Sequence, residues 1–209
     1  EPTAYKDITL EVYRRLRAAP GLRAYGGLGL ALQAYLRDGE ADLEGLLAWS
    51  RAAGLPLALR LVKGAYWDAE VALAGQKGWP PPVWLRKAET DRCFERMARR
   101  ALASADICRL ACGSHNLRSI AAVLETARAL DVPAERYEFQ LLYGMAEPVR
   151  RALLQQAGRV RLYAPYGPLV PGMAYLVRRL LENTSNESFL RQSFAEGAAE
   201  ARLLAPPEA

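Results

Sequence analysis

Hydrophobic positions along the chain fall into two alternating kinds of stretch. Short apolar runs occur at Leu28–Gln33, Leu57–Val62, Cys108–Cys112, Tyr137–Leu142 and Val160–Ala164, and between them lie longer segments in which apolar residues recur every three or four positions. The runs suit buried strands and the longer segments suit amphipathic helices, so the alternation predicts parallel strands joined by crossover helices. Helices are expected over Ile8–Ala18, Ala41–Ala53, Trp67–Gln76, Thr90–Ala103, Leu117–Leu130, Glu147–Gln156 and Gly172–Asn183. Pro20-Gly21, Gly54-Leu-Pro56 and Gly78-Trp-Pro-Pro-Pro82 mark turns and loops between them. After Phe194 the chain drifts into Ala, Glu and Pro, which predicts one domain over 1–194 and a linker or disordered tail over 195–209. The class is α/β. Five strand–helix units cannot close an eight-stranded barrel, so the pattern leaves an open sheet and part of a barrel as alternatives.

Composition narrows the function classes. With 209 residues, 51% apolar and 24% charged, the chain can bury one substantial core. The net charge of +5 comes from arginine, since lysine occurs only at Lys6, Lys63, Lys77 and Lys87. These cations are scattered among Asp and Glu on helical faces, so no stripe is expected to track nucleic acid. Cys93, Cys108 and Cys112 have no metal-ligand spacing, and no secretory segment precedes them, so buried, reduced thiols in a cytoplasmic protein are expected, without a metal. The tripeptides Asn183-Thr-Ser185 and Asn186-Glu-Ser188 therefore carry no weight as glycosylation sites, and no apolar run is long enough to span a bilayer.

Candidate chemistry gathers at one predicted edge. Gln33, Lys63 with Tyr66, His115 with Asn116, Leu142 with Tyr143, and Tyr163 all fall at or just beyond the C-terminal end of a strand. Singly each is an ordinary loop residue. Together they converge on the edge where α/β proteins bind ligands. Lys63 at a strand end could form a Schiff base, whereas its neighbours Gly64 and Tyr66 suggest close backbone approach to a flat or phosphorylated ligand. In the last helix Tyr175, Arg178, Arg179 and Glu182 share one face and Leu176, Val177, Leu180 and Leu181 the other. That polar face is either solvated or an anion clamp, because paired guanidinium forks suit a small carboxylate. Gly26-Gly-Leu-Gly29 precedes a strand and so fails the dinucleotide fingerprint.

Four longer motifs, Arg60-Leu-Val-Lys-Gly-Ala-Tyr-Trp-Asp68, Phe139-Gln-Leu-Leu-Tyr-Gly-Met-Ala-Glu-Pro148, Arg161-Leu-Tyr-Ala-Pro165 and Tyr175-Leu-Val-Arg-Arg-Leu-Leu-Glu-Asn183, resemble the proline dehydrogenase family from about Tyr5 to Phe194. Asp68 and the Asn183 to Phe189 segment look more like the bifunctional proline utilization enzymes, which append an aldehyde dehydrogenase. The resemblance implies the last five βα units of a (βα)8 TIM-type barrel, with a final helix over the C-terminal face and the earlier strands upstream of Glu1. It implies non-covalent FAD at Gln33, Arg60, Val62, Lys63, Gly64, Trp67, His115, Asn116, Gln140 and Glu182. Leu61, Tyr66, Leu142, Tyr163 and Tyr175 would wall the L-proline site, and Arg178 with Arg179 would pair with the proline carboxylate. The implied reaction is oxidation of proline to Δ1-pyrroline-5-carboxylate, the first step of proline catabolism. A quinone would take the electrons, with peripheral contact at the inner face of the membrane. The contrasting expectation is a truncated fragment, inactive until the missing strands are supplied. Leu85 stands where relatives often carry threonine near the adenosine end of the flavin. Glu1 falls near a family aspartate, but Pro2-Thr-Ala4 does not match its surroundings, and no role is assigned to it.

Overall fold

A computed structural model describes residues 2–184 and 204–207. Its centre is one sheet of five parallel strands in sequence order: β1 (Leu30–Gln33), β2 (Leu57–Val62), β3 (Cys108–Gly113), β4 (Tyr137–Leu142) and β5 (Val160–Tyr163). Around it run α1 (Lys6–Ala18), α2 (Gly39–Ala53), α3 (Trp67–Lys77), α4 (Lys87–Leu102), α5 (Leu117–Ala129), α6 (Glu147–Gln156) and α7 (Leu169–Thr184). Strands that neighbour in sequence also neighbour in space, as in a partial TIM-type barrel. The β2-to-β3 crossover holds two helices, α3 and α4, with the Gly78–Pro82 turn between them. Of the expected tail over 195–209, only 204–207 falls within the described residues.

Strand alternation divides the sheet into two unlike faces. Leu30, Leu32, Leu57, Leu59, Leu61, Leu110, Cys112, Phe139 and Leu141 point to the helix side and are buried there. They meet Leu43, Leu46 and Leu47 of α2, Phe94, Met97 and Leu102 of α4, and Ile120 and Val123 of α5, forming the main core. The other face carries small residues, Ala31, Ala58, Ala111 and Gly113, among long polar ones, Arg60, Arg109, Glu138, Gln140 and Arg161. Small side chains at the sheet centre leave room on this second face, and the candidate chemistry lies there.

The helix boundaries have local causes. Helix α2 stops where Gly54 turns left-handed at φ 64°, with the Leu55 N–H returning to the Ser50 carbonyl and buried Leu55 closing the turn. Helix α4 starts three residues before the predicted Thr90, because the Glu89 carboxylate reaches back to the Arg86 N–H at 3.1 Å and stabilises an earlier turn. Bidentate pairs of Arg96 with Glu40 and Arg100 with Glu44 join α4 to α2 on the outer surface.

Candidate functional site

The C-terminal ends of the strands open into a cleft of about 460 Å³ on the barrel-side face. Gln33, Arg60, Val62, Lys63, Gly64, Tyr66, His115, Gln140, Leu142 and Tyr163 line it together. These are residues from five different strand ends, and parallel register brings them to one level: Gln33 lies beside Val62, Val62 beside Gly113, and Leu142 beside Tyr163. A second cleft of about 690 Å³ adjoins the first, with Lys63 and Gly64 lining both. Its walls include Tyr35, Trp67 and Asp68 on one side, and Leu85, Arg86, Lys87, Thr90 and Asp91 at the start of α4. The α3–α4 connection that makes this lobe is tied to the β1–α2 loop by an antiparallel bridge of Leu36 to Val83 and by the Trp84 N–H to the Tyr35 carbonyl at 2.8 Å.

Hydrogen bonds fix most of the polar groups. Buried Gln33 accepts the Ala65 N–H through Oε1 at 3.2 Å, which holds the turn after β2. His115 accepts the Leu142 N–H at Nε2, 3.0 Å away, so the neutral ring carries its proton on Nδ1. Lys63 and Lys87 converge on the two oxygens of Asp91, and the Lys63 ammonium also lies 5.8 Å from the Phe94 ring centre. Burial lowers the Lys63 pKa from its ordinary value, against the pull of Asp91. Burial on its own would raise Asp91, but Lys63 and Lys87 overcome it and hold the carboxyl below its ordinary value. A Lys63 engaged in this pair is poorly placed to serve as a free amine for a Schiff base.

One expectation, that for Leu61, needs correction. Leu61 does not wall the cleft: alternation along β2 sends it with Leu59 into the helix-side core, while Arg60 and Val62 take the other face. Asn116 is committed to capping α5, where its Oδ1 accepts the Ser119 N–H at 3.0 Å. Trp67 belongs to the second cleft, with its indole N–H donated to the Trp84 carbonyl at 2.8 Å. Gly64 sits at φ 153°, and a Cβ there would lie 2.3 Å from Cγ of Tyr35, so its missing side chain makes room for a ring of the same chain. On α7, Tyr175 packs against Tyr163 with ring centres 5.6 Å apart. Leu176 and Val177, on the face away from the polar residues, are 43% and 47% exposed. Arg178, Arg179 and Glu182 lie on α7 by backbone, and their side chains fall outside the described residues.

Sequence reasoning passed over Tyr35, Asp91, Arg86, Lys87 and Glu138. Lys87 and Asp91 are an i, i+4 pair, a visible signal, and Glu138 shares strand periodicity with Gln140. All three cysteines are buried and unpaired, with burial pushing Cys93 to about 11 and Cys108 and Cys112 to about 12. Among the described residues no helix is long and apolar enough to cross a membrane, and no cluster of His, Cys, Asp and Glu could hold a metal.

Comparison with known proteins places this architecture. The proline dehydrogenase family model matches residues 1–192. The bifunctional protein PutA of Escherichia coli (strain K12) is 35% identical over 198 residues, covering 89% of this chain and 14% of that protein. Proline dehydrogenase 1 of Bacillus subtilis (strain 168) is 29% identical over 191 residues, covering 91% of this chain and 55% of that one. Among solved structures, proline utilization A from Bdellovibrio bacteriovorus, inactivated by N-propargylglycine, superposes with a TM-score of 0.95 at 48% identity, over 99% of this chain and 22% of its own. A Bradyrhizobium japonicum proline utilization A mutant gives a TM-score of 0.91 at 37% identity, over 99% of this chain and 21% of its own. The chain thus spans about a seventh of the first, bifunctional relative and about half of the second.

Proposed function

The chain belongs to the proline dehydrogenase family, and from that premise we propose that its paired clefts are the flavin and substrate site of an enzyme oxidising L-proline to Δ1-pyrroline-5-carboxylate. The observation that carries the proposal is that the two clefts adjoin at Lys63 and Gly64, which line both. An elongated, two-lobed site suits a dinucleotide with a flat ring at one end. The second lobe brings Lys63, Arg86 and Lys87 together, and such groups suit the phosphates of a dinucleotide.

In this proposal Gln33, Arg60, Val62, Lys63, Gly64, His115 and Gln140 hold the ring system, Trp67 lies along the second lobe, and Glu182 supports the arginines of α7. When bound, the flavin supplies the acceptor for a hydride from the proline ring carbon next to nitrogen. The chain's own residues do the positioning. Arg178 and Arg179 pair with the substrate carboxylate, a role for which a planar, permanently charged fork is better suited than an ammonium. Tyr66, Leu142, Tyr163 and Tyr175 enclose the ring and exclude water, and His115 fixes the wall by holding the Leu142 amide. Such enclosure restricts the substrate to the orientation in which its carbon can react. A quinone is the proposed electron acceptor, met at the inner face of the membrane, and an aldehyde dehydrogenase the proposed consumer of the product.

Visible spectra of the chain purified with added FAD, together with proline-dependent reduction of a dye, test this. A bound flavin spectrum is expected, and a protein that retains no flavin after gel filtration overturns the proposal. The open sheet favours a second reading for the 209-residue polypeptide on its own. With β1 and β5 both at sheet edges, it binds flavin but turns over little proline until further strands close the barrel. An active, flavin-loaded monomer refutes that reading.

A further inference from the structure

We infer that Glu138 is a positioning residue that turns the Gln140 amide so that its carbonyl oxygen, and not its NH2, faces the ligand cleft. The inference rests on the flavin site proposed above and adds a specificity for the ligand edge presented to Gln140.

Glu138 and Gln140 are two residues apart on β4 and so share the barrel-side face. The neighbouring positions on β3 are Ala111 and Gly113, which have little or no side chain and leave both groups room along the sheet. Glu138 is only 3% exposed, and a carboxylate so buried requires compensation. Its two oxygens have separate partners. Oε2 accepts from Arg161 at 3.0 Å and lies 3.9 Å from Arg159, while Oε1 accepts from Gln140 Nε2 at 2.7 Å.

An ionised carboxylate only accepts, so the amide that meets it must present its NH2. Nitrogen and oxygen sit on opposite sides of the amide carbon, so the oxygen turns away from Glu138. Gln140 borders both the polar floor of the sheet and the ligand cleft, which gives that oxygen the cleft to face. The site then takes a ring edge that donates, the chemistry of an imide N–H such as a flavin carries. A ligand offering a carbonyl at the same place meets an unfavourable pairing of acceptors.

Glu138→Gln tests the orientation at constant shape. The single carbonyl of the new side chain is drawn to Arg161, its NH2 meets Gln140, and the Gln140 amide turns over. Side-chain amide NMR of the unliganded chain reads this directly, with the Gln140 signals identified by their loss in Gln140→Met. In the unaltered chain they are expected to be shifted downfield and protected from exchange, and both features are expected to vanish in Glu138→Gln. Flavin affinity, followed by fluorescence quenching, is expected to fall about tenfold in either variant. The double variant should lose no more than Gln140→Met alone. The inference is overturned by freely exchanging Gln140 protons in the unaltered chain, by unchanged signals in a folded Glu138→Gln, or by additive losses. If Glu138→Gln does not fold, the exchange protection in the unaltered chain decides. A chain that takes no flavin overturns the proposed function, and the amide spectrum still decides the orientation.

Discussion

Replacing Gly64 with alanine separates two explanations of the same glycine. If the residue is needed for a ligand to approach the backbone, Gly64→Ala should weaken flavin binding and leave stability unchanged. The structure argues for a different cause, because the added Cβ would stand 2.3, 2.5 and 2.7 Å from three carbons of the Tyr35 ring. No real contact is so short, so the ring must move, and Tyr35 is only 2% exposed. Overpacking of this kind costs about 1–3 kcal/mol. Alanine at φ 153° adds backbone strain of about 1–3 kcal/mol, so a total loss of about 2–6 kcal/mol is expected. Urea denaturation measures it, with two companions. Gly75→Ala, a position on α3 where a Cβ meets nothing within 4 Å, should change stability in the opposite direction by about 0.5–1 kcal/mol. In a Tyr35→Ala background, Gly64→Ala should lose only its backbone part, giving a coupling of about 1–3 kcal/mol. Additive losses in that cycle, or an unchanged unfolding midpoint in Gly64→Ala, would refute the reasoning.

Three further outcomes are expected. Asp91→Asn removes the carboxylate shared by Lys63 and Lys87. Because Asp91 titrates below its ordinary 3.8 in the folded chain, its contribution is present above that pH and lost as pH falls through the folded value. The stability gap between the two proteins should be widest near neutral pH and close at the acid end, and a gap unchanged from pH 7 to about pH 2.5 would contradict the pairing. Leu61→Ala should cost about 2–5 kcal/mol by opening a cavity in the core, whereas Leu142→Ala should cost less stability and instead raise the KM for proline. Equal stability losses would place the two leucines in the same environment after all. The three thiols should resist a disulfide reagent in the native chain and react once urea exposes them, since burial holds Cys108 and Cys112 near 12. Fast native labelling would argue against it.

What the sequence made legible follows from how local each signal is. Strand β2 appeared with its full bounds because Leu57, Leu59 and Leu61 alternate within a single apolar run closed by Gly64. The edge carrying Gln33, Lys63, His115 and Tyr163 was equally readable, since parallel strands must put their C-terminal ends at one level. Inside the resemblance-based assignments, Leu61 went astray because a motif gives order along the chain and not which face a residue takes. Asp91 and Tyr35 were invisible for another reason. Their partners, Lys63 and Gly64, stand 28 and 29 positions away, and only the folded crossover brings them into contact.

The doubled helix between β2 and β3 separates two demands that most sites must satisfy with the same residues. The first lobe is walled by strand ends whose alternate residues form the core, so change there risks the fold. The second lobe is walled by α3, the loop that follows it and only the first turn of α4, whose later residues Phe94, Met97 and Leu102 belong to the core. Its walls can be rebuilt without disturbing the strand register. Changing the α3 and loop residues that line this lobe, with α4 kept, is therefore a route to a chain with altered preference for the tail of its cofactor and an unaltered reacting end, a modularity written into where the extra helix was placed.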